Sequence, residues 1–380
     1  MIPIGVDMYL PAMPAMRADL HGSPAAAQQT LAVFFVGMAL AQILLGPLSD
    51  HYGRKRPLLA GIGLFVAASI GCAIAASMEG LIAMRFVQAL GGAAGMVVGR
   101  AVARDYFEGS DLARMFSLIM LVMGLAPILA PLVGSAILLV AGWRTIFWVL
   151  TAYGLGVLAL AALGLGESLP VADRARHGIV GSIAAMARVG TDRRFLGYAL
   201  AMAFASGAMF SYIAASPFVF IDYYGFSPGE FAALFGVNAI GLVAAAQLKV
   251  RLLRHWPPAT ILRWTLSFQF AAALVLLAVA LSGAGDAVGV PIALFFTVVC
   301  IGLIGSNAGA LAMTPFGREA GAVSALMGML HGAAGAAAAG VVGHLPGDGP
   351  VPMALMIAIL VGLALLALTA VAPPARPAKA

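Results

Sequence analysis

A succession of long apolar runs, separated by short breaks with proline, glycine or charged residues, constrains the fold of this chain more than any other feature. Each run approaches or exceeds the roughly 20 residues that a helix needs to cross a bilayer. Eleven runs lie at about 27–48, 57–77, 80–102, 115–140, 145–165, 196–221, 229–248, 258–282, 289–313, 320–343 and 351–372. Only 9% of the 380 residues are charged, against about a quarter in soluble domains. Lipid must therefore be the solvent for most of the chain, and we predict an all-α polytopic membrane protein.

The longest break, roughly 167–194, is charged and divides the chain into six spans on each side, if a short apolar stretch at the start is counted. We predict an N-terminal six-helix half at 1–166, a cytoplasmic linker at 167–194 and a C-terminal six-helix half at 195–380. Basic turns at 48–57 and 248–257 each end in proline at the same place in their half. This weak repeat is typical of transporters with two parallel halves around a central site.

Basic residues are distributed unevenly between alternate loops. If the loop at 53–56 is cytoplasmic, most lysines and arginines share its side, including Arg376 and Lys379 in the tail, whereas the opposite loops hold only Arg17 and Arg144. This bias predicts that both termini of the full-length form are cytoplasmic. The net charge of +6 reflects these loops and does not indicate a nucleic-acid partner.

The apolar stretch at the start of the chain is short for a span. From Met1 to Pro14 a helix would cover about 21 Å, against a hydrocarbon core of about 30 Å. Arg17 and Asp19 mark its outer end, so the deficit lies at the cytoplasmic end. We expect that the first helix is truncated and that the natural protein begins roughly 15–20 residues upstream.

Asp7 is the only acidic residue that we place well inside an apolar segment. A carboxylate at that depth is costly, so its default interpretation is functional. If transport is coupled to protons, Asp7 is the first candidate for the coupling residue.

The segment 46–56 resembles the signature loop of the major facilitator superfamily. Gly46 and Gly53 permit a tight turn, and Asp50 can pair with nearby arginines such as Arg54. The resemblance implies a gating loop that latches in one conformation and releases in another. The alternative is an ordinary basic loop that only sets topology.

The segment 85–91 resembles the fourth-helix motif of the same superfamily. Arg85 lies about five residues past Glu79, which marks the outer edge, and so about 8 Å into the helix. We expect Arg85 to face inward and to pair with a carboxylate or with polar groups in a cavity. The alternative is an arginine that extends outward to the membrane interface.

The segment 124–134 resembles the fifth-helix motif of the superfamily's antiporters. It departs from that motif at Ala130 and at the following Ser135, where glycine is usual in the family. Gly124, Pro127, Pro131 and Gly134 carry the resemblance. Each proline removes a backbone donor and bends the helix. In the family this bend helps to seal the cavity, which favours exchange over leak. An ordinary proline-kinked helix is the alternative.

Further segments narrow the resemblance to the bicyclomycin- and chloramphenicol-resistance branch of drug/proton antiporters. They lie at 7–14, 104–105, 143–148, 167–170 and 212–219. The resemblance implies a monomeric twelve-helix transporter of the bacterial inner membrane, with two six-helix halves around one cavity, that exports small amphipathic drugs. It implies that Asp7 takes a proton from outside and releases it inside, and that Arg85 moves relative to Asp7 to switch its proton affinity. The proton gradient would be the energy source, and no cofactor is implied.

Aromatic and membrane-embedded polar residues are candidates for the substrate cavity, since lipid offers polar groups no partner. They are Tyr9, Phe34, Tyr212, Phe218, Asn238, Asn307 and His331. For each, packing between helices is an alternative interpretation.

Three rivals to drug export stay open at this point. One is a facilitator or exporter of a sugar or metabolite on the same fold, and another is an inactive truncated paralogue. The third is a membrane enzyme, which we do not expect because the six histidines are scattered without metal-ligand spacing.

Overall fold

The computed structural model describes residues 1–174, 186–316, 320–347 and 349–371. All regular secondary structure within these ranges is helical. Residues 175–185 of the predicted linker lie outside the described residues, as do Arg376 and Lys379 of the basic tail.

The long helices account for nearly all the described residues. The α-helices are α1 (Ile2–Asp7), α2 (Met13–Asp19), α3 (Pro24–Tyr52), α4 (Lys55–Ala73), α5 (Met78–Tyr106), α6 (Gly109–Val140), α7 (Arg144–Gly164), α8 (Arg193–Pro217), α9 (Pro228–Leu252), α10 (Pro258–Ser282), α11 (Asp286–Val299), α12 (Ile301–Met313), α13 (Ala320–Val342) and α14 (Val351–Leu366). Among the described residues, 11 helical stretches are long and apolar enough to cross a membrane, and each overlaps one of the predicted runs. The prediction of an all-α, multi-pass membrane protein is confirmed.

Side-chain caps determine where several spans begin. The Ser23 hydroxyl accepts a hydrogen bond from the backbone of α3, and the Ser77 hydroxyl does the same for α5, both at 3.1 Å. Before α9, Ser227 and Glu230 form a reciprocal capping box, with the Ser227 amide donating to the carboxylate at 2.8 Å. Such caps satisfy first-turn N–H groups that have no partner within the helix.

The first compact unit comprises Met1–Ser182 and Ser216–Val237. Within it, α5 packs against α3 and α4, and α4 packs against α7. The buried side chains of Leu58 and Ile62 on α4 meet Ala94 and Val98 on α5. Small residues on α5 allow this close approach, because helices in lipid associate through tight packing.

The second compact unit comprises Ile183–Ala215 and Asn238–Ala380. Its central helix is α10, which packs against α11, α12 and α14. Leu262 and Leu266 on α10 are fully buried in one cluster with Ile304 of α12. The predicted division into halves at 1–166 and 195–380 stays a prediction.

The start of the chain forms a broken helix. After α1 come a turn at Met8 and Tyr9, a single 3₁₀ turn at Leu10–Ala12, and then α2. Pro11 contributes to the break, because it has no N–H to offer to the carbonyl of Asp7, four residues earlier. Asp7 is therefore the last residue of a short helix that ends within the buried part of the unit.

The two arginines that we predict on the side opposite the basic loops are both paired with acids. Arg17 forms an ion pair with Asp222 at 3.2 Å. Arg144 forms one with Asp19 at 2.5 Å, and the Trp143 indole donates to the same carboxylate at 3.1 Å. These pairs leave little net positive charge at that end of the first unit.

Candidate functional site

Arg85 on α5 is the largest fully buried side chain among the described residues. Its Nη1 atom donates to the carbonyl of Gly5 at 2.9 Å and to Oε1 of Gln88 at 2.5 Å. Its Nε and Nη2 atoms have no hydrogen-bond partner among the described residues. A buried guanidinium with unused donors is costly, so its surroundings have to compensate by other means.

Aromatic rings surround this guanidinium. Its central carbon lies 4.1 Å from the ring centre of Tyr9, 4.4 Å from that of Phe34 and 5.9 Å from that of Phe147. The negative faces of such rings attract a cation, and more strongly where water is excluded. The Tyr9 hydroxyl lies 3.0 Å from that of Thr30, which orients the ring. The rings therefore replace part of the hydration that Arg85 has lost.

A short polar chain continues from Arg85 between helices. The side-chain amide of Gln88 donates to the Ser69 hydroxyl at 2.7 Å, and this hydroxyl donates to the carbonyl of Phe65 at 2.7 Å. Gln88 is three residues after Arg85, and residues at this spacing share a helix face. That spacing was available in the sequence, whereas the contact with Ser69 on α4 was not.

Asp7 lies at the end of α1 and is 5% exposed. Its carboxylate makes no hydrogen bond or ion pair with any residue that the structure describes. Arg85 instead binds the carbonyl of Gly5, two residues before Asp7 on the same short helix. The inward-facing Arg85 thus meets polar groups, as predicted, and no direct pair with Asp7 forms in this conformation. The proton-coupling role of the two residues stays a prediction.

The antiporter motif packs against the broken helix at the start of the chain. Helix α6 runs unbroken through Pro127 and Pro131, and Pro131 and Gly134 lie on its buried side. It contacts α1 and the turn that follows. A methyl group at Gly134 would overlap the backbone carbonyl of Met8. Glycine is therefore required at position 134 for α6 to contact Met8, the residue that follows Asp7. The other two residues of the motif, Gly124 and Pro127, are half-buried.

The loop that we predict to gate transport forms a network of charges around Arg54. Its Nη1 atom donates to Asp50 at 2.5 Å and to the Ser49 hydroxyl at 2.9 Å, and its Nε atom donates to Asp105 at 3.0 Å. Asp105 lies in the last turn of α5, so this one guanidinium connects the ends of α3 and α5. The predicted pairing of Asp50 with an arginine is present. Gly46, by contrast, lies inside α3 and not in a turn, because Pro47 costs the helix only one hydrogen bond and the apolar helix runs on to Tyr52.

Glu167 closes the same network and was missed as a functional residue. Its carboxylate accepts backbone hydrogen bonds from Arg54 at 2.7 Å and Lys55 at 3.2 Å, at the start of α4. Burial opposes its ionisation, but these donors outweigh burial and hold the pKa of the Glu167 carboxyl below its usual 4.5. Gly53 makes this approach possible: its φ is +88°, and a side chain there would overlap the carboxylate. The segment 167–170 is part of the family resemblance. The sequence does not reveal the partner of Glu167, however, because Arg54 lies 113 residues earlier in the chain.

The other cavity candidates divide into separate environments. In the second unit, the buried Asn238 amide donates to the Tyr212 hydroxyl at 3.1 Å, and the Asn238 Oδ1 atom has no partner among the described residues. Asn307 donates to a carbonyl of its own helix at 2.8 Å.

The His331 ring meets a phenylalanine edge-on at 5.0 Å. In the first unit, Phe218 lies beneath the Arg17 guanidinium at 6.0 Å. Their roles in substrate binding stay predictions.

Within the described ranges, no three His, Cys, Asp or Glu side chains group in a way that could hold a metal ion.

Comparison with known proteins gives a family, several relatives and a fold. The model of the Major Facilitator Superfamily matches residues 1–340. An MFS-type transporter of Bacillus subtilis (strain 168), YdgK, is 38% identical over 330 residues, covering 86% of this chain and 82% of the relative. The bicyclomycin resistance protein homolog of Haemophilus influenzae is 32% identical over 372 residues, covering 96% and 92%. The multidrug resistance protein MdtL of Escherichia coli is 30% identical over 333 residues, covering 86% and 81%. Among solved structures, a D-xylose-proton symporter has a TM-score of 0.77 at 13% identity, covering 98% of this chain and 95% of the other.

Proposed function

The chain belongs to the Major Facilitator Superfamily, and we propose on this basis that it exports small amphipathic drugs in exchange for protons. It is a transporter and not an enzyme. The observation that carries the proposal is the buried Arg85. Its Nε and Nη2 atoms have no hydrogen-bond partner among the described residues, and its Nη1 atom binds the carbonyl of Gly5 on α1, the short helix that ends at Asp7.

Proton exchange follows from the charge requirements of these two side chains. A buried carboxylate that loses its proton needs a cation or hydrogen-bond donors. The Nε and Nη2 atoms of Arg85 supply both. When Asp7 is protonated, Arg85 stays on the Gly5 carbonyl and the rings, as in this structure. When Asp7 is charged, the guanidinium turns toward it, and the contact with Gly5 is given up.

Two features link this local change to the rest of the first unit. Because Gly134 touches the carbonyl of Met8, a shift at the break in the first helix moves α6 as well. Because Tyr9 follows the same break, its ring moves with it. Proton binding thereby changes both the aromatic pocket and the helix that carries the antiporter motif. Drug and proton then compete for the same groups.

The nature of the substrate and the orientation in the membrane are also proposed. Two relatives are named for bicyclomycin resistance and for multidrug resistance, which supports a drug-like substrate. Tyr9 and Phe34 offer flat apolar faces to such a molecule. Arg17 and Arg144 are both paired with acids, so the excess of positive charge lies on the side of the basic loops. This excess supports a cytoplasmic location for those loops in the bacterial inner membrane.

The test uses the full chain in liposomes with a pH-sensitive dye inside. We expect ethidium or another cationic dye to move against an imposed proton gradient, and Asp7→Asn to abolish this exchange. The matched control is Asp111→Asn, the same substitution at an exposed acid in the first turn of α6. Transport of substrate in the same direction as protons, or unchanged exchange by Asp7→Asn, would refute the proposal.

Arg85→Lys separates charge from geometry. A guanidinium stays charged and serves several partners at once, whereas a buried lysine can lose its proton. We therefore expect Arg85→Lys to bind substrate and to exchange it poorly. Full exchange by this variant would reduce the role of Arg85 to bulk charge.

A further inference from the structure

An apolar groove on the second unit contains none of the residues proposed above for transport. It has a volume of about 590 Å³ and is lined by one stripe from each of three helical segments. On α9 the stripe runs from Gly241 to Leu252, and on α10 it comprises Ile261, Trp264, Thr265 and Phe268. Phe296, Val299, Cys300 and Leu303 of α11 and α12 complete it. The spacing of three and four residues shows that each helix presents a single face.

The shape of the groove follows from the sizes of these side chains. Gly241, Ala244 and Ala245 form a low floor on α9, and the half-exposed rings of Trp264, Phe268 and Phe296 form the walls. From Gly241 to Leu252 the groove is about 17 Å long, at 1.5 Å per residue. A single extended hydrocarbon chain fits a groove of this length and volume.

Basic residues lie near one end of the groove. Lys249 and Arg251 are near the end of α9, and Arg254 is in the following turn. None of the three forms an ion pair with a residue that the structure describes. At the same end the Trp256 ring lies edge-on to Trp264, with their centres 5.5 Å apart. Tryptophan is typical of the level of lipid headgroups.

We propose that this groove binds an anionic phospholipid, with one acyl chain between α9, α10 and α11 and its phosphate among Lys249, Arg251 and Arg254. Basic residues beside a crevice between membrane helices suit anionic headgroups. Arginine binds phosphate oxygens in pairs, and lysine does so as a point charge. The two indole rings close over the first carbons of the chain.

The first arm of the test compares lipids that differ only in headgroup. Purified full-length protein is titrated with dioleoyl phosphatidylglycerol or dioleoyl phosphatidylcholine, and thermal stability and lipid retention in native mass spectrometry are measured. We expect phosphatidylglycerol to bind about tenfold or more tightly, because several cations face one phosphate. Equal effects of the two lipids would overturn the proposal. Glycerol phosphate, the headgroup alone, should have no effect, and an equal effect would assign a site for free phosphate instead.

The second arm uses variants that remove either half of the site. Lys249→Gln with Arg254→Gln removes charge, and Ala244→Phe fills the floor of the groove. Each should lower the affinity for phosphatidylglycerol about tenfold. The matched control, Arg104→Gln with Arg114→Gln, removes two cations from the first unit and should change nothing. If neither variant weakens phosphatidylglycerol binding, or if a drug substrate displaces the lipid, the groove is not an anionic lipid site. Because proton exchange by Asp7 is measured separately, failure here leaves the transport proposal intact.

Discussion

The basic turns at 48–57 and 248–257 have the same length and end in proline before a new helix, yet their charges serve different purposes. In the first turn, Arg54 is held by Asp50 and Asp105 and its backbone by Glu167. In the second, Arg254 has no acidic partner among the described residues. A groove of about 490 Å³ also lies beside the first turn, with Arg56 among its lining residues. Arg54 of the first turn therefore binds the protein to itself, whereas Arg254 of the second turn, like Arg56 of the first, offers its charge outward.

The difference shows that a basic loop gains its role from acids elsewhere in the chain. Val250 stands where Asp50 stands in the first turn, so one part of the difference is visible in the sequence. The other partners, Asp105 and Glu167, come from positions 51 and 113 residues away. Where such acids converge, a loop can act as a latch between conformations. Where they do not, the cations remain available for lipid phosphate.

The strongest test of this comparison removes one arginine from each turn. Arg54→Gln should slow drug transport about tenfold or more, because two carboxylates lose their shared partner and about 1.4 kcal/mol already shifts an equilibrium tenfold. Arg254→Gln should transport at nearly the normal rate in phosphatidylcholine liposomes. Initial rates and substrate affinity are measured on the same preparations. Equal losses in both variants would break the comparison, and a large loss of affinity in Arg54→Gln would contradict the latch.

The second test addresses the backbone of each turn. Gly53→Ala should lower the free energy of unfolding by about 1–2 kcal/mol, because alanine is strained at a φ of +88° and its methyl group would meet the Glu167 carboxylate. Leu253→Ala is the matched change at the corresponding position, which has no positive φ. Thermal unfolding in detergent measures both. A larger effect at Leu253 would show that the second turn is the more constrained one.

A pH titration sharpens the comparison further. Since the pKa of Glu167 lies below its usual 4.5 in the folded protein, this carboxylate stabilises the fold above that pH. The stabilisation should be lost as the pH falls below about 4.5 through the lowered value. Glu167→Gln should therefore flatten the acid limb of the stability profile. An unchanged acid limb would show that the carboxylate adds little to the first turn.

The smallest expected effect comes from giving the second turn the acid that it lacks. Val250→Asp places a carboxylate four residues before Arg254, as Asp50 is placed before Arg54. Exposed pairs of this kind contribute a few tenths of a kcal/mol, so we expect phosphatidylglycerol affinity to fall about twofold. Val250→Asn introduces polarity without charge and serves as the control. Tighter lipid binding by the aspartate variant would contradict the role of free cations in the groove.

The spans were predictable from sequence because they depend on local composition. Apolar length alone indicates a membrane helix, and the structure confirms each predicted run. Asp7 and Arg85 were also visible, because charge within an apolar segment is conspicuous. The partners of Arg85 were not, since the Gly5 carbonyl is 80 residues away and becomes available only through the break that follows Asp7. Gly46 was expected to permit a tight turn because glycine is conformationally free, but α3 continues through it to Tyr52.

The hydrogen bond between Arg85 and the carbonyl of Gly5 has a consequence for how the protein can vary. Every amino acid carries the same carbonyl, so no codon change at position 5 deletes this acceptor. A methyl group there would meet Phe65 and Phe34 at ordinary distances of 3.6 and 3.7 Å, so even alanine is accommodated. Substitutions can therefore affect the contact with Arg85 only through the residues that determine the backbone conformation around Gly5. Because Pro11 contributes to the break in the first helix, we expect substitutions at Pro11 to be the least tolerated.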